Sequence, residues 1–382
     1  MTMPDRAVRD VVEQRARAAV LTEYGEPLVI RDVEIAELRD HEILVRIAGV
    51  GICHTDLTAA QGGVPVPTPA VLGHEGAGVV EAVGSSVDRL APGDHVVLSY
   101  SSCRDCRNCT DGHPAYCEQF ALRNYSGRRP DGSVTLALDG EPLHGSWFGQ
   151  SSMATHAVVD ESDAVRVAND LPIELMGPLG CGIQTGAGAV LRVLRPRPGS
   201  SIVVFGAGAV GMGAVLAAVV AECARIVVVD PVESRRDLAL SLGATDAVDA
   251  ATPDLAKHLR RLTGGGADHS VDTVSNEAVL QTATTILRSP GSCATLGLRG
   301  QRNPVTLDQS VLLMGRTVTG VIEGDADPQQ FVPELVELWR AGRFPFDKLV
   351  TTFAFDELDS ALEATRSGAV VKPVLTFTTT EG

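Results

Sequence analysis

Through the first 170 residues the apolar runs are short and alternate with polar positions. Leu28–Val33 and Glu42–Ala48 alternate with period two, and the apolar run Ala70–Val83 is broken by Gly73, Gly76 and Gly78. Side chains of a strand point alternately to opposite faces, so this spacing predicts short β-strands. Pro/Gly clusters at Gly62–Pro69 and Ala91–Asp94 supply the turns. Long helical periodicity is absent, and the segment reads as a β-rich lobe.

The pattern changes near Leu171. Continuous apolar runs, the mark of strands buried on both faces, now alternate with helical stretches. The spacing predicts strands at Ile202–Phe205, Ile226–Asp230, Ser270–Val274 and Ala294–Leu298, with a helix over Gly211–Ala221. Pro304 and Pro328 bracket a further strand, Thr317–Ile322. An amphipathic helix follows at Phe331–Ala341, then strands at Leu349–Phe355 and Val370–Phe377, the last rejoining the first lobe. Strands joined by helices mean an α/β fold with a doubly wound parallel sheet.

Composition narrows the function classes. A chain of 382 residues with 44% apolar content is enough for two domains. A net charge of -16 argues against nucleic-acid and anionic-membrane partners. No apolar run approaches the roughly 20 residues of a membrane span. Residues 1–17, MTMPDRAVRDVVEQRAR, mix four Arg with Asp5, Asp10 and Glu13, and have no signal-peptide core. They read as a polar extension, helical if ordered. The expected address is a reducing cytoplasm, where clustered cysteines are metal ligands more often than disulfides.

Two motifs carry chemistry. Gly206, Gly208 and Gly211 in IVVFGAGAVG match G-x-G-x-x-G directly after a strand and at the opening of a helix. The first glycine makes the tight turn, the second admits a pyrophosphate, and the third lets helix and strand pack. The helix start, at Ala209 and Val210, offers free N–H groups to the phosphates. Asp230 ends the next strand, placed to bind a ribose 2′-hydroxyl. That acid favours NAD over NADP. Arg235 and Arg236 lie close downstream, on a solvated helix face or, for Arg235, within reach of the ribose.

The second motif is SSCRDCRNCTDGHPAYC. Four of the chain's eight cysteines, Cys103, Cys106, Cys109 and Cys117, are spaced C-x₂-C-x₂-C-x₇-C. The first three share a ferredoxin-like spacing, but seven residues precede the fourth and Glu118 follows it, which favours a closed four-thiolate zinc over an iron–sulfur cluster. Four thiolates leave no open position, so the lobe reads as a staple. Elsewhere, GICHTD, GHEGAG and PLGCGIQTG contain Cys53, His74 and Cys181, the ligand types of an open catalytic zinc. Spacing alone does not join residues so far apart. Cys223 and Cys293 lie on apolar segments and read as packing.

Taken together and in this order, GICHTD, GHEGAGVV, the four-cysteine lobe, PLGCGIQTG, GAGAVG with Asp230, and KPVLTF resemble the zinc-dependent medium-chain alcohol dehydrogenases, over about Ala18–Phe377. Within them the chain is most similar to the aryl, benzyl-type enzymes. The resemblance implies a GroES-like catalytic domain (18–183 and 324–382) split around a Rossmann domain (184–323). It implies a catalytic zinc on Cys53, His74 and Cys181 and a structural zinc on the four-cysteine lobe. Glu75 would stand behind the metal, and Asp56 would hydrogen-bond His74. Thr55 would pass on the alcohol proton, His54 and Lys372 would lie near the pyrophosphate, and Thr185 would pack on the nicotinamide side. Thr58 stands where many relatives have a proton-relaying His, so the route beyond Thr55 is by water or His54. The implied activity is reversible, NAD-dependent oxidation of an aromatic or allylic primary alcohol to its aldehyde, by hydride transfer from a zinc-bound alkoxide, in a homodimer or homotetramer. The alternative is a thiol-adduct formaldehyde dehydrogenase or an aldehyde reductase of the same fold. Ala121 stands where the thiol-adduct enzymes place an Arg. Ser99, Phe148 and Leu298 are candidate pocket walls.

Overall fold

A computed structural model of the chain describes residues 15–297, 299–300 and 302–377. Its parallel sheet has six strands. From one edge they are Asp246–Val248, Arg225–Val229, Ser201–Phe205, Ala267–Asp272, Leu287–Thr295 and Arg316–Gly320. Numbered along the chain, that order is 3-2-1-4-5-6, the arrangement of two mononucleotide-binding halves. The crevice at its topological switch lies above the carboxyl ends of Ser201–Phe205 and Ala267–Asp272. The switch-point strands carry SIVVF and ADHSVD, whose apolar members are fully buried because helices cover both faces.

The remaining strands form two mainly antiparallel sheets. One has five strands and includes Arg15–Leu21, Val29–Ile35 and Ala70–Val71. The other has seven strands built around Glu42–Gly51, which pairs with Gly76–Val83, His156–Asp160 and the returning Lys372–Thr376. The chain's last described strand thus closes the sheet begun by its first lobe, as the apolar pattern implied. The predicted run Ala70–Val83 is two strands, Ala70–Val71 and Gly76–Val83, with the glycine-bearing segment between them turning past the cluster described below.

Residues 15–17 of the expected polar, helical extension are strand: Arg15, Ala16 and Arg17 open Arg15–Leu21. RARAAVL alternates exposed Arg with buried Ala, the period-two pattern of a strand edge. Arginine content hid that alternation. The rest of the extension lies outside the described residues. No helix among the described residues is long and apolar enough to cross a membrane.

One continuous apolar cluster runs beneath the domain junction. It joins Val97, Met176, Leu179 and Ile183 on the catalytic side to Ile202, Val204 and Met212 on the Rossmann side. The helix Gly182–Gly188 lies against Ala209–Val220, so the segment carrying Cys181 is packed directly on the dinucleotide-binding helix. Each Val, Leu or Ile so buried contributes about 1.5–3 kcal/mol to holding the two sides together.

Candidate active site

Three distant segments converge at the junction. Cys53 is the residue before the helix His54–Ala60, and the Asp56 carboxylate reaches back to accept its N–H at 3.2 Å. GICHTD is therefore a helix start with an acid at the third position, a reciprocal cap that fixes the cysteine's backbone. His74 and Glu75 lie in the turn before Gly76–Val83, and Cys181 precedes the helix Gly182–Gly188. One ligand atom from each of Cys53, His74, Glu75 and Cys181 falls within 4.8 Å of the others.

The histidine is held by its far nitrogen. Asp56 Oδ1 lies 2.8 Å from His74 Nδ1 and also accepts from Trp147 Nε1 at 2.9 Å and Gly73 N at 3.1 Å. With Nδ1 committed, Nε2 is the free nitrogen, and it is buried without a partner. Phe148 stacks on the ring at 4.4 Å between centroids. A buried imidazole nitrogen facing two thiols without a donor is the signature of a metal ligand, because burial without a partner is costly. The two thiols share one proton: their mutual hydrogen bond pushes Cys53 well below the ordinary thiol range and Cys181 well above it. Two sulfurs and one imidazole fit the donor set of an open zinc site.

Glu75 does not face water. Its oxygens take 2.8 and 2.7 Å bonds from Lys372 Nζ, whose third donor goes to the carbonyl of Ile52 at 3.1 Å. Burial raises the Glu75 carboxyl to about 6 against the pull of Lys372. Lys372, expected near a pyrophosphate, thus has its donors directed at Glu75 and the Ile52 carbonyl. A fully buried carboxylate requires a counter-charge at this distance.

Thr55 follows Cys53 on the same turn, its hydroxyl 3.7 Å from Cys53 Sγ, and is half-buried. His54 is exposed. Thr58 donates its hydroxyl to the His54 carbonyl at 2.9 Å, the ordinary fate of a helix threonine. Ser99 is not a pocket wall: it is buried, donates to Gly180 O at 2.6 Å and accepts from Gln184 Nε2 at 2.9 Å. Leu298 lies outside the described residues. Thr185 is buried beside Glu323, with Oγ1 3.5 Å from its carboxylate.

Beside the Gly182–Gly188 helix, where Gly182 lies close to Ala209, the glycine loop has the geometry of a phosphate cradle. Gly206 is left-handed at φ +93°, and a Cβ on Gly211 would lie 1.8 Å from the Gly206 carbonyl. A Cβ on Gly208 would meet nothing within 4 Å, so the space beside the loop is open. Ala209 and Val210 open the helix, whose first-turn N–H groups lack intrahelical acceptors. Asp230 accepts from Ala207 N at 2.7 Å and Val232 N at 2.8 Å, which ties the carboxylate to the loop. Arg236 pairs with Asp249, and Arg235 reaches the Val370 carbonyl across the domain junction.

The second cysteine set converges as well. Neighbouring sulfurs of Cys103, Cys106, Cys109 and Cys117 lie 3.5–3.9 Å apart. The edge of a tetrahedron with Zn–S bonds of about 2.3 Å is about 3.8 Å. Backbone N–H groups of Cys106, Glu118 and Gln119 point at these sulfurs, as thiolates require. All eight cysteines are free of disulfides.

Residues 39–169 match the alcohol dehydrogenase GroES-like domain, and residues 209–339 match the zinc-binding dehydrogenase domain. The geraniol dehydrogenase of Castellaniella defragrans is 48% identical over 365 residues, covering 95% of this chain and 98% of that one. The chain belongs to the zinc-dependent medium-chain alcohol dehydrogenases. Zinc and NAD(H) are the cofactors of these dehydrogenases in general. The benzyl alcohol dehydrogenase of Acinetobacter calcoaceticus superposes with a TM-score of 0.92 at 42% identity, covering 96% of this chain and all of that one. A zinc-binding alcohol dehydrogenase protein from Burkholderia ambifaria gives 0.93 at 46%, covering 95% of this chain and 99% of that one.

Sequence reasoning missed three side chains of this dehydrogenase's site. Trp147 braces Asp56, Gln150 bridges the His74 carbonyl and Gly76 N–H, and Glu323 lies beside Cys181. None has a ligand-type spacing. An aromatic pair before a glycine, WFG, was the one available signal. Asp56→Asn is expected to lower zinc affinity about 10–100-fold, because the amide loses the charge beside His74 and sets its NH₂ against the Cys53 N–H that Oδ2 accepts. Zinc retention after graded chelator dialysis reads this directly, and wild-type retention would remove Asp56 from the role.

Proposed function

We propose that the chain oxidises primary alcohols whose carbinol carbon is allylic or benzylic to aldehydes, reversibly and with NAD. Cys53, His74 and Cys181 hold the catalytic zinc, and the four-cysteine lobe holds a second, closed zinc. The observation that carries the reading is the orphaned His74 Nε2, buried between two thiols at the mouth of a dinucleotide-binding crevice. The named activities of the geraniol and benzyl alcohol relatives support the substrate class.

Zinc held there supplies a Lewis acid that makes an alcohol hydroxyl more acidic and polarises an aldehyde carbonyl. The protein's groups do the rest. Asp56 keeps His74 in the tautomer that offers Nε2. Thr55, one turn position from Cys53, receives the hydroxyl proton and passes it toward the exposed His54. Phe148, flat against His74, gives the site an apolar wall suited to an unsaturated carbinol. Loop and helix N–H groups take the pyrophosphate, and Asp230 takes the ribose hydroxyls. Arg236 is already balanced by Asp249, which supports NAD over NADP. Initial rates with NAD should favour benzyl alcohol and geraniol over saturated alcohols by at least about tenfold, an apolar-contact difference of about 1.4 kcal/mol. A higher rate with formaldehyde plus a thiol would support the thiol-adduct alternative instead.

Asp230→Ala is expected to cut the NAD/NADP ratio of kcat/KM by about tenfold or more, the loss of charge-assisted hydrogen bonds worth about 1.5–3 kcal/mol. An unchanged ratio would remove Asp230 from the ribose. A second copy of the chain is proposed to cover the edge at Arg316–Gly320, where Leu313, Met314 and Ile322 are exposed. Light scattering on the purified protein separates dimer or tetramer from monomer. A chain whose clustered thiols are all metal-held or free suits a reducing cytoplasm.

A further inference from the structure

A cavity of about 500 Å³ lies at the end of the parallel sheet opposite the dinucleotide crevice. It sits by the amino ends of four neighbouring strands, which begin at Ser201, Ala267, Leu287 and Arg316. Its volume falls within the range of small-molecule sites, about 300–1,000 Å³. Ser201, Arg260, Asp268, Arg288 and Arg316 line it, together with the glycine turn 264–266 that follows the helix Leu255–Leu262. The proposed dehydrogenase mechanism uses none of these residues.

The glycine turn keeps the cavity open. Gly264, Gly265 and Gly266 have φ of +65°, +111° and +153°, conformations that a side chain would strain. A Cβ on Gly264 or Gly265 would meet nothing within 4 Å. The turn therefore walls the cavity with backbone and puts no side chain into it.

The charges inside do not balance. Asp268 is the one acid among the described residues that line the cavity, and its oxygens are committed. Oδ1 accepts from Arg288 Nη1 at 2.8 Å, and Oδ2 accepts from the N–H and hydroxyl of Ser201 at 2.8 and 2.7 Å. Among the described residues, neither Arg260 nor Arg316 forms an ion pair. They converge on one neutral oxygen instead. The Leu287 carbonyl accepts from Arg260 Nη1 at 3.2 Å and from Arg316 Nε and Nη2 at 3.1 and 2.8 Å. Two guanidiniums that share an acceptor repel each other, and a carbonyl's partial charge offsets only part of that. In a chain of net charge -16 this is a local excess of positive charge beside open space. Arg316 Nη1 is taken by the Val311 carbonyl at 3.0 Å. Arg260 reaches protein acceptors through Nη1 alone, the carbonyls of Leu287 and Thr285, which leaves its Nε and Nη2 for a ligand.

We propose that this cavity binds a tetrahedral dianion, inorganic phosphate or the head of a small phosphomonoester, with Arg260 as its main donor and Arg316 and Arg288 adding charge. A guanidinium presents paired N–H groups that match phosphate oxygens two at a time. A phosphate carries a charge near -2 at neutral pH, which matches the two guanidiniums without acids. A monocarboxylate would match only one. The volume, many times the roughly 30 Å³ share of a water, leaves room beside the phosphate for a small organic group.

The test is equilibrium dialysis of radiolabelled phosphate with the zinc-loaded protein, at constant ionic strength and with NADH saturating so that the loop at Gly206 is filled. Wild type should bind phosphate with a Kd of about 1 mM or tighter. Acetate should compete at least about tenfold more weakly. Glycerol 3-phosphate competing better than unlabelled phosphate would support the site and mark its ligand as a phosphomonoester; equal competition would support it and mark the free ion. Arg260→Gln should weaken phosphate at least about tenfold, the worth of a charge-assisted pair, while kcat for benzyl alcohol stays within twofold. Arg260→Lys, which keeps the charge and loses the fork, should fall between. Arg31→Gln, which removes an equal charge from the exposed face of the strand Val29–Ile35, should bind as wild type does. No phosphate bound by wild type at about 20 mM, or an unchanged Kd in Arg260→Gln, would overturn the proposal.

Discussion

Cys53→Ala and His74→Ala are each expected to lower kcat/KM for benzyl alcohol by at least about 10³-fold, while NADH affinity stays within twofold. The magnitude follows from what the site supplies. Without a Lewis acid the hydroxyl keeps the acidity of a free alcohol, and the effect on a metal-held oxygen spans many pKa units. The separation of turnover from cofactor binding follows from the fold. Gly206, Gly208 and Gly211 follow the strand Ser201–Phe205 and Asp230 follows Arg225–Val229, so none of them is carried by the segments that hold Cys53 and His74. Coupled loss of turnover and NADH binding would mean that the substitution had collapsed the junction. Near wild-type oxidation would mean that the reaction does not use this cluster.

Lys372→Met carries the largest expected stability effect. Lys372 and Glu75 are both buried and bonded at 2.7 and 2.8 Å. Removing the ammonium leaves the Glu75 carboxyl buried with one remaining donor, Gly182 N at 3.3 Å. Breaking a buried pair in this way costs about 3–5 kcal/mol. The double variant Lys372→Met with Glu75→Gln should recover at least half of that, since the cost lies in the stranded charge more than in the lost attraction. Urea denaturation at fixed zinc concentration measures both. Equal destabilisation of single and double variants would show that Lys372 acts by packing alone.

Much of the fold was legible because its signals are local. The glycine fingerprint, the buried strand runs around it and the alternating strands of the first lobe each announce themselves within ten residues. Boundaries shifted by a few residues: the strand expected at Ala294–Leu298 begins at Leu287, because Pro290 and Gly291 masked its start. The ligand cluster was legible as residue types, yet Cys53 and Cys181 are joined only by tertiary structure. Their connection came from the family's motif order, and the structure then brought them within 4.8 Å of His74. What stayed hidden depends on direction in space. Glu323 sits in TGVIEGD as an ordinary acid, and nothing in that string shows a left-handed backbone turned toward a thiol. Lys372 in KPVLTF reads, by the resemblance, as a base near the pyrophosphate until the strand Lys372–Thr376 is seen to bury it against Glu75. Trp147 is one more apolar residue until its indole N–H meets Asp56.

Anomalous diffraction at the zinc edge, on crystals of the protein purified without chelators, puts the open three-ligand site to the question most directly. The expected map has two peaks per chain. One lies within about 2.3 Å of Cys53 Sγ and Cys181 Sγ and about 2.1 Å of His74 Nε2, with a solvent or substrate oxygen in the fourth position. The other sits among Cys103, Cys106, Cys109 and Cys117. A zinc-replete crystal with a peak in the lobe and none at Cys53, His74 and Cys181 would contradict the mechanism.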